Sequence, residues 1–223
     1  MNIPVLVLLV VVLDTIIFGT LAYVLIKRSK KLQDTGQLPE LAEALGIELH
    51  GGELRFPGVT WLSFLRSPYF LTGTIDGYNI NIHSYVVSSG KHSTRYVRVS
   101  LARPVNYPLT FSIAREHIFS KIGKVMGHHD LETGNNVFDS QFLIRSSDEM
   151  FASSILLPEI QELLIAFDTQ HSLNGALKLD EQGLRYDEIG SLNNEKSLAK
   201  IKPMVAIQLA LAQACDAYLD LQA

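Results

Sequence analysis

The stretch 70–102, FLTGTIDGYNINIHSYVVSSGKHSTRYVRVSLA, decides the fold. Phe70 to Ile75 runs into Asp76-Gly77, a dipeptide suited to the two positive-φ positions of a type I′ hairpin turn. Tyr78 to Val87 then returns with alternation: Ile80, Ile82 and Val86 point one way, Asn79, Asn81, His83 and Tyr85 the other. After a loop at Ser88 to Ser93, the strand Thr94 to Ala102 repeats the pattern, with Val97, Val99 and Leu101 inward and Tyr96, Arg98 and Ser100 outward. A period of two with one apolar side is the mark of an antiparallel meander that buries a single face.

Downstream, Thr110 to Arg115 and Phe138 to Arg145 read as further strands, with a short helix over Glu116 to Met126. Ser146-x-x-Glu149 has the form of a capping box and opens a helix through Ile155. Pro158 starts the next helix, whose core face is Ile160, Leu163, Leu164 and Phe167 at i, i+3, i+4 and i+7. Leu173 to Leu179 and Leu184 to Ile189 form a second hairpin about Asp180-Glu181-Gln182-Gly183. The chain ends in a helix from Lys196 to Leu221, with Met204, Ile207, Leu211, Cys215 and Tyr218 as its apolar stripe and Gln208, Asp216 and Asp220 as its wet side. Upstream, Pro39 to Gly46 carries the proline and glycine of a two-turn helix. Trp61, Leu62, Phe64 and Leu65 belong either to the core or on a membrane. The expected class is α+β: a mainly antiparallel sheet with helices packed on one face, behind a single N-terminal transmembrane helix.

That helix is Ile3 to Ile26, a nearly unbroken apolar run with one charge, Asp14. At about 1.5 Å per residue it would reach about 36 Å, enough for a hydrocarbon core of about 30 Å. It lacks the basic start and short apolar core of a cleaved signal peptide, so it is expected to stay as an anchor. Lys27, Arg28, Lys30 and Lys31 follow it, which places the C-terminal domain in the cytoplasm and the N-terminus outside, single-pass in the cell inner membrane. The domains are therefore residues 1–31, an anchor with a basic flank, and 32–223, a cytoplasmic α+β domain. An aspartate at mid-bilayer costs roughly 2.5–3.5 kcal/mol on insertion scales. Asp14 is either protonated and tolerated or, with Thr15, Gly19 and Ala22 beside it, it forms a helix–helix contact with a second copy or another membrane protein.

The formal net charge of −4 excludes nucleic acid as an electrostatic match for the whole chain. The charge is unevenly spread: Lys91 to Lys124 holds seven Lys or Arg against one acid, and Asp130 to Glu195 holds thirteen acids against three bases. Such a split can turn a basic side towards anionic lipid, with Lys27, Arg28, Lys30, Lys31, Lys91, Arg95, Arg98 and Arg103 as the contacts. A solvated surface is the plainer account. One cysteine, Cys215, permits no internal disulfide, in keeping with a reducing compartment.

Catalytic and cofactor chemistry finds little to stand on. Gly90-Lys91 lacks both the upstream glycine and the following helix of a phosphate-binding loop. His128, His129 and Asp130, with Glu132 nearby, carry metal-ligating groups at a spacing that does not converge, because neighbours in an extended segment face opposite ways. His83 and His92 share a hairpin without further support. Cys215 falls on an apolar stripe, and Glu159/Glu162 and Asp187/Glu188 read as solvated carboxylates. No cofactor is expected.

The pieces Gly73-x-x-Asp76-Gly77, Gly90-Lys91-His92-Ser93, Pro108-Leu109-x-Phe111, Phe138-Asp139-x-x-Phe142-x-Ile144, Asp148-Glu149 and Leu157-Pro158 resemble bacterial membrane-anchored domain families of unknown function. Those families join N-terminal membrane helices to a cytoplasmic α+β domain bearing an F-[DE]-x-x-F-x-V segment and an acidic helix start, and Ile144 stands here for their valine. The resemblance implies anchoring and fold and carries no catalytic residues. Phe138 and Phe142 are expected on one strand face in the core, and Asp139 on a turn or helix start. The expected function is a membrane-tethered interaction or adaptor domain; the alternatives are an inner-leaflet metal-assisted hydrolase and an anionic-lipid-binding module.

Overall fold

The computed structural model describes residues 37–51, 69–102, 109–115, 118 and 129–222. The apolar run with Asp14, Thr15, Gly19 and Ala22, its basic flank, the Trp61 segment, Arg103, His128 and all but Ile118 of the helix expected at Glu116 to Met126 lie outside them. The chain divides into two compact units, 1–37 and 38–223. The architecture below is that of the second, whose first residue, Leu38, lies in helix α1, Gln37–Leu45.

Among the described residues nine strands form one sheet in which every pairing is antiparallel: β1 Glu48–His50, β2 Phe70–Ile75, β3 Tyr78–Ser89, β4 His92–Ala102, β5 Phe111–Ala114, β6 His129–Leu131, β7 Leu143–Ser146, β8 Ala176–Asp180 and β9 Gly183–Ile189. Their order is β1-β2-β3-β4-β9-β8-β5-β7-β6, so the C-terminal hairpin β8–β9 sits between the first meander and β5. The β2–β3 turn is the one its dipeptide calls for, with positive φ at both Asp76 (51°) and Gly77 (83°). The β3–β4 ladder continues to Ser89↔His92, leaving only Gly90 and Lys91 as the turn where a six-residue loop was expected. Continued pairing gives the backbone groups of both strands partners that a loop would leave to water.

One face of the sheet is the core. Ile80, Ile82, Val97, Val99, Leu101, Ile113, Ile144, Leu177 and Leu184 are buried on it. Over it lie α3 Glu149–Ile155, α4 Pro158–His171 and α5 Glu195–Asp220. By length and composition α5 is apolar enough to cross a membrane, yet Ile201, Met204, Ile207, Leu211 and Cys215 are buried within the fold, as in the central helix of a globular core.

Several expectations need correction. Val86 and Leu163 are exposed, Val86 because it lies beyond the last pairings of β2 with β3 and of β9 with β4. Gln208 is buried, not wet: its Nε2 donates 3.0 Å to the Val99 carbonyl. Phe138 is not in a strand. It belongs to the short helix α2, Asn136–Asp139, whose N-cap Asn135 accepts from the amides of Val137 and Phe138. Phe142 follows at the i+4 bond Phe142 N to Phe138 O (3.0 Å), which brings the two rings to 4.8 Å. Asp139 does bind a turn, accepting from the amides of Thr133 and Gly134 and from the Thr133 hydroxyl. The N-cap of α3 is Asp148, which accepts from Phe151 N at 2.8 Å, while Ser146 ends β7 and donates to Thr110 O and Asp148 O.

Candidate functional site

Because the helices take one face, the other presents the outward residues of β3, β4, β9 and β8 in register. His83 pairs across to Arg98 and Arg98 to Asp187; Tyr85 pairs to Tyr96 and Tyr96 to Ile189. Arg98 grips Asp187 with two bonds, Nε to Oδ1 at 2.6 Å and Nη2 to Oδ2 at 3.1 Å, the fork geometry that favours arginine at carboxylates. The Tyr85 hydroxyl donates to the same Oδ1 at 3.0 Å, and the Arg98 guanidinium lies 4.8 Å from the Tyr85 ring centroid. Tyr96 stacks on Tyr85 at 5.4 Å and 19°. His83 bonds the Asn81 amide at 2.6 Å.

A second row runs Ser100, Arg185, Lys178, Ser112 and Arg145 across four strand pairings. Arg185 is paired with Asp180, and Lys178 stands directly opposite Arg185. The electrostatics follow from this crowding. The bond to Asp187 raises the Arg98 pKa against the cost of burial. Burial and then Asp187 raise Tyr85, burial and then Arg98 lower His83, and burial and then Arg185 lower Lys178. Towards β5 the face closes, where Ala114, Ala176 and Leu143 pack with Ile118 in a small separate apolar cluster.

Under the sheet lies a second polar group. Tyr186 donates to Glu188 Oε2 at 2.6 Å, and Lys200 of α5 pairs with Glu188 and donates to Ser172 O at 3.0 Å. Burial, then Glu188, hold the Tyr186 hydroxyl well above its ordinary value near 10, so it remains a proton donor and ties β9 to α5. This group is a structural clasp.

The residues expected to bind lipid separate. Lys91 sits exposed at the β3–β4 turn and Arg95 is exposed on β4, whereas Arg98 is committed to Asp187. His129 and Asp130 are consecutive residues of β6, opposite Ser146 and Arg145. Among the described residues no group of three or more His, Cys, Asp or Glu is arranged to hold a metal ion. His83 and His92 sit on different strands of the hairpin, far apart in its ladder, with His83 opposite Arg98 and His92 opposite Ser89. Asp187 and Glu188, read as a solvated pair, are both engaged, on opposite faces of β9. Alternation alone assigns them to opposite faces, but their partners, 89 and 12 residues away, become visible only with the strand order.

These features define an α+β domain with one helix-covered sheet face and one polar, aromatic face. No protein-family model and no curated protein matches the chain. Among solved structures it is similar to that of the mycobacterial trehalose monomycolate transport factor A, TtfA, at 9% identity over 79% of this chain and 96% of that one, with a TM-score of 0.41. Similarity at that level informs neither fold nor function.

Proposed function

We propose that this chain is a membrane-tethered cytoplasmic interaction domain, an adaptor or accessory subunit anchored by Ile3 to Ile26 and contacting a protein partner through the open sheet face. The observation that carries the reading is the Tyr85–Arg98–Asp187 arrangement with Tyr96 stacked beside it. Tyrosine and arginine, held in one geometry on strands, lose little side-chain freedom on binding and are the residue types that dominate protein contacts. The anchor supplies location, and Asp14 with Thr15, Gly19 and Ala22 supplies a second contact within the bilayer.

The test is affinity purification of the full chain in mild detergent, with rebinding of any stoichiometric partner to the purified protein. Lys178→Glu and Arg98→Met probe the face, and Asp14→Leu probes the helix. Among the described residues Lys178 carries no ion pair, and circular dichroism of each variant checks that the fold is kept. A partner lost with the face variants supports the open face, and one lost only with Asp14→Leu moves the contact into the membrane. A chain that purifies alone, or with one bound metal per chain, refutes the adaptor reading.

A further inference from the structure

The β3–β4 hairpin outruns the sheet. Among the described residues β2 pairs with β3 as far as His83 and β9 with β4 as far as Tyr96, with Gly190 N donating once more to the Arg95 carbonyl at 3.0 Å. Beyond these points the pairs Val86↔Arg95 to Ser89↔His92 form, among the described residues, a two-stranded ribbon, a form that is marginal in water unless something covers it. Its composition is unlike the rest of the chain. Val86 (52% exposed) and Val87 (47%) occupy its two opposite faces, Val86 across from Arg95 and Val87 across from Thr94. Lys91 and Arg95 project from it without a carboxylate partner among the described residues. No Asp or Glu occurs from Gly77 to Arg115, in a chain whose net charge is −4.

We propose that this ribbon is a membrane contact, laying Val86 and Val87, one on each of its faces, into the headgroup layer of an anionic leaflet with Lys91 at its turn and Arg95 beside Val86 against lipid phosphates. Three features favour a bilayer over a protein. Apolar side chains on both ribbon faces fit an interface that can rise around a narrow strand pair, whereas a protein surface would cover one. The ribbon's strand edges, unpaired among the described residues, confine it to the hydrated headgroup level, since bare amides do not enter hydrocarbon. Long basic side chains beside exposed aliphatics form a mixture that settles at membrane–water boundaries, the stem in the apolar layer and the charge at the phosphates. The proposal rests on the tether reading only for keeping the ribbon near a bilayer.

The experiment places a nitroxide at Ser89→Cys in the full chain, with Cys215, which is fully buried, checked for silence in the unsubstituted protein. Flotation with phosphatidylcholine vesicles in high salt tests the tether alone. Nitroxide accessibility on phosphatidylcholine membranes, with and without one-fifth phosphatidylserine, tests the ribbon. The expected result is loss of access to a water-soluble nickel relaxer on the anionic membrane, restored by salt. Lys91→Ala/Arg95→Ala should lower the docked-to-free ratio about thirtyfold, and Val87→Asp should abolish docking. A label that is equally water-exposed on both membranes overturns the proposal. So does one shielded equally without lipid, which would show strand pairing between copies. A chain that floats only with anionic vesicles, its label shielded there, supports the ribbon and overturns the tether.

Discussion

Gly175→Ala should be among the most damaging single-methyl changes in the domain. A Cβ there would lie 2.3 Å from the Asp187 carbonyl oxygen and 2.7 and 2.8 Å from two Tyr186 ring atoms. None of these can yield cheaply. The carbonyl belongs to β9 where Ala176 pairs with Asp187, and the Tyr186 ring is pinned by Glu188 and by the edge of Phe167, 6.2 Å between centroids. Overpacking typically costs 1–3 kcal/mol, and rigid neighbours put this case at about 3 kcal/mol. Alanine recovers about 0.4–1 kcal/mol by restricting the unfolded chain. The net loss is about 2–3 kcal/mol, a fall in Tm of roughly 5–10 °C for a domain of this size. Thermal melting followed by circular dichroism reads it directly. Adding Tyr186→Leu removes the ring but not the carbonyl contact, so the double variant should stay well below Tyr186→Leu alone. If Gly175→Ala melts within about 1 °C of the unsubstituted chain, the close approach of β8 to β9 is wrong and the register that builds the open face goes with it.

Alkaline pH should loosen the domain through Tyr186. Its folded pKa lies well above the ordinary 10, so the stability it contributes is complete below pH 10 and is lost as pH rises through the folded value. Tyr186→Phe should flatten that limb in denaturant titrations. His83 acts with the opposite sign: its folded pKa is depressed below 6.5, so stability present above 6.5 drains away as pH falls through the folded value, and His83→Gln should weaken the acid dependence below about pH 6.5. Lys178→Met removes a like-charge pairing opposite Arg185 and should raise stability by about 0.2–1 kcal/mol, seen as a small rise in Tm. Asp139→Ala leaves the amides of Thr133 and Gly134 without their acceptor and should cost about 1.5–3 kcal/mol by denaturant midpoint.

Local rules fixed the hairpins and the long helices, because a period of two and a proline or glycine at a boundary are properties of neighbouring residues. They failed where a partner lies far along the chain. Gln208 looks wet on a helical wheel and is buried because the Val99 carbonyl of β4 takes its amide. The spacing of Phe138 and Phe142 by four is a helical interval, and reading it as a strand ignored the Asn135 cap that starts the turn. The three-residue edge strands β1 and β6 are too short to show any period. Of the face, Tyr96 and Arg98 were legible as outward residues, but the network they enter was not. Its acid, Asp187, comes from the C-terminal hairpin that the strand order inserts beside β4.

That insertion also explains why β9 matters to both layers. Its adjacent carboxylates leave in opposite directions: Asp187 fixes Arg98 and Tyr85 on the open face, and Glu188 fixes Tyr186 and Lys200 beneath it. Removing one partner of such a group strands the others, at a cost larger than the bond itself was worth. Glu188→Gln should therefore weaken the fold while leaving the composition of the open face unchanged. Lys178→Glu should change the charge that a partner meets while leaving the clasp intact. A partner whose affinity followed Glu188→Gln more closely than Lys178→Glu would be reading the stability of β9, and the contact would then have to be sought elsewhere than on the row of Lys178 and Arg185.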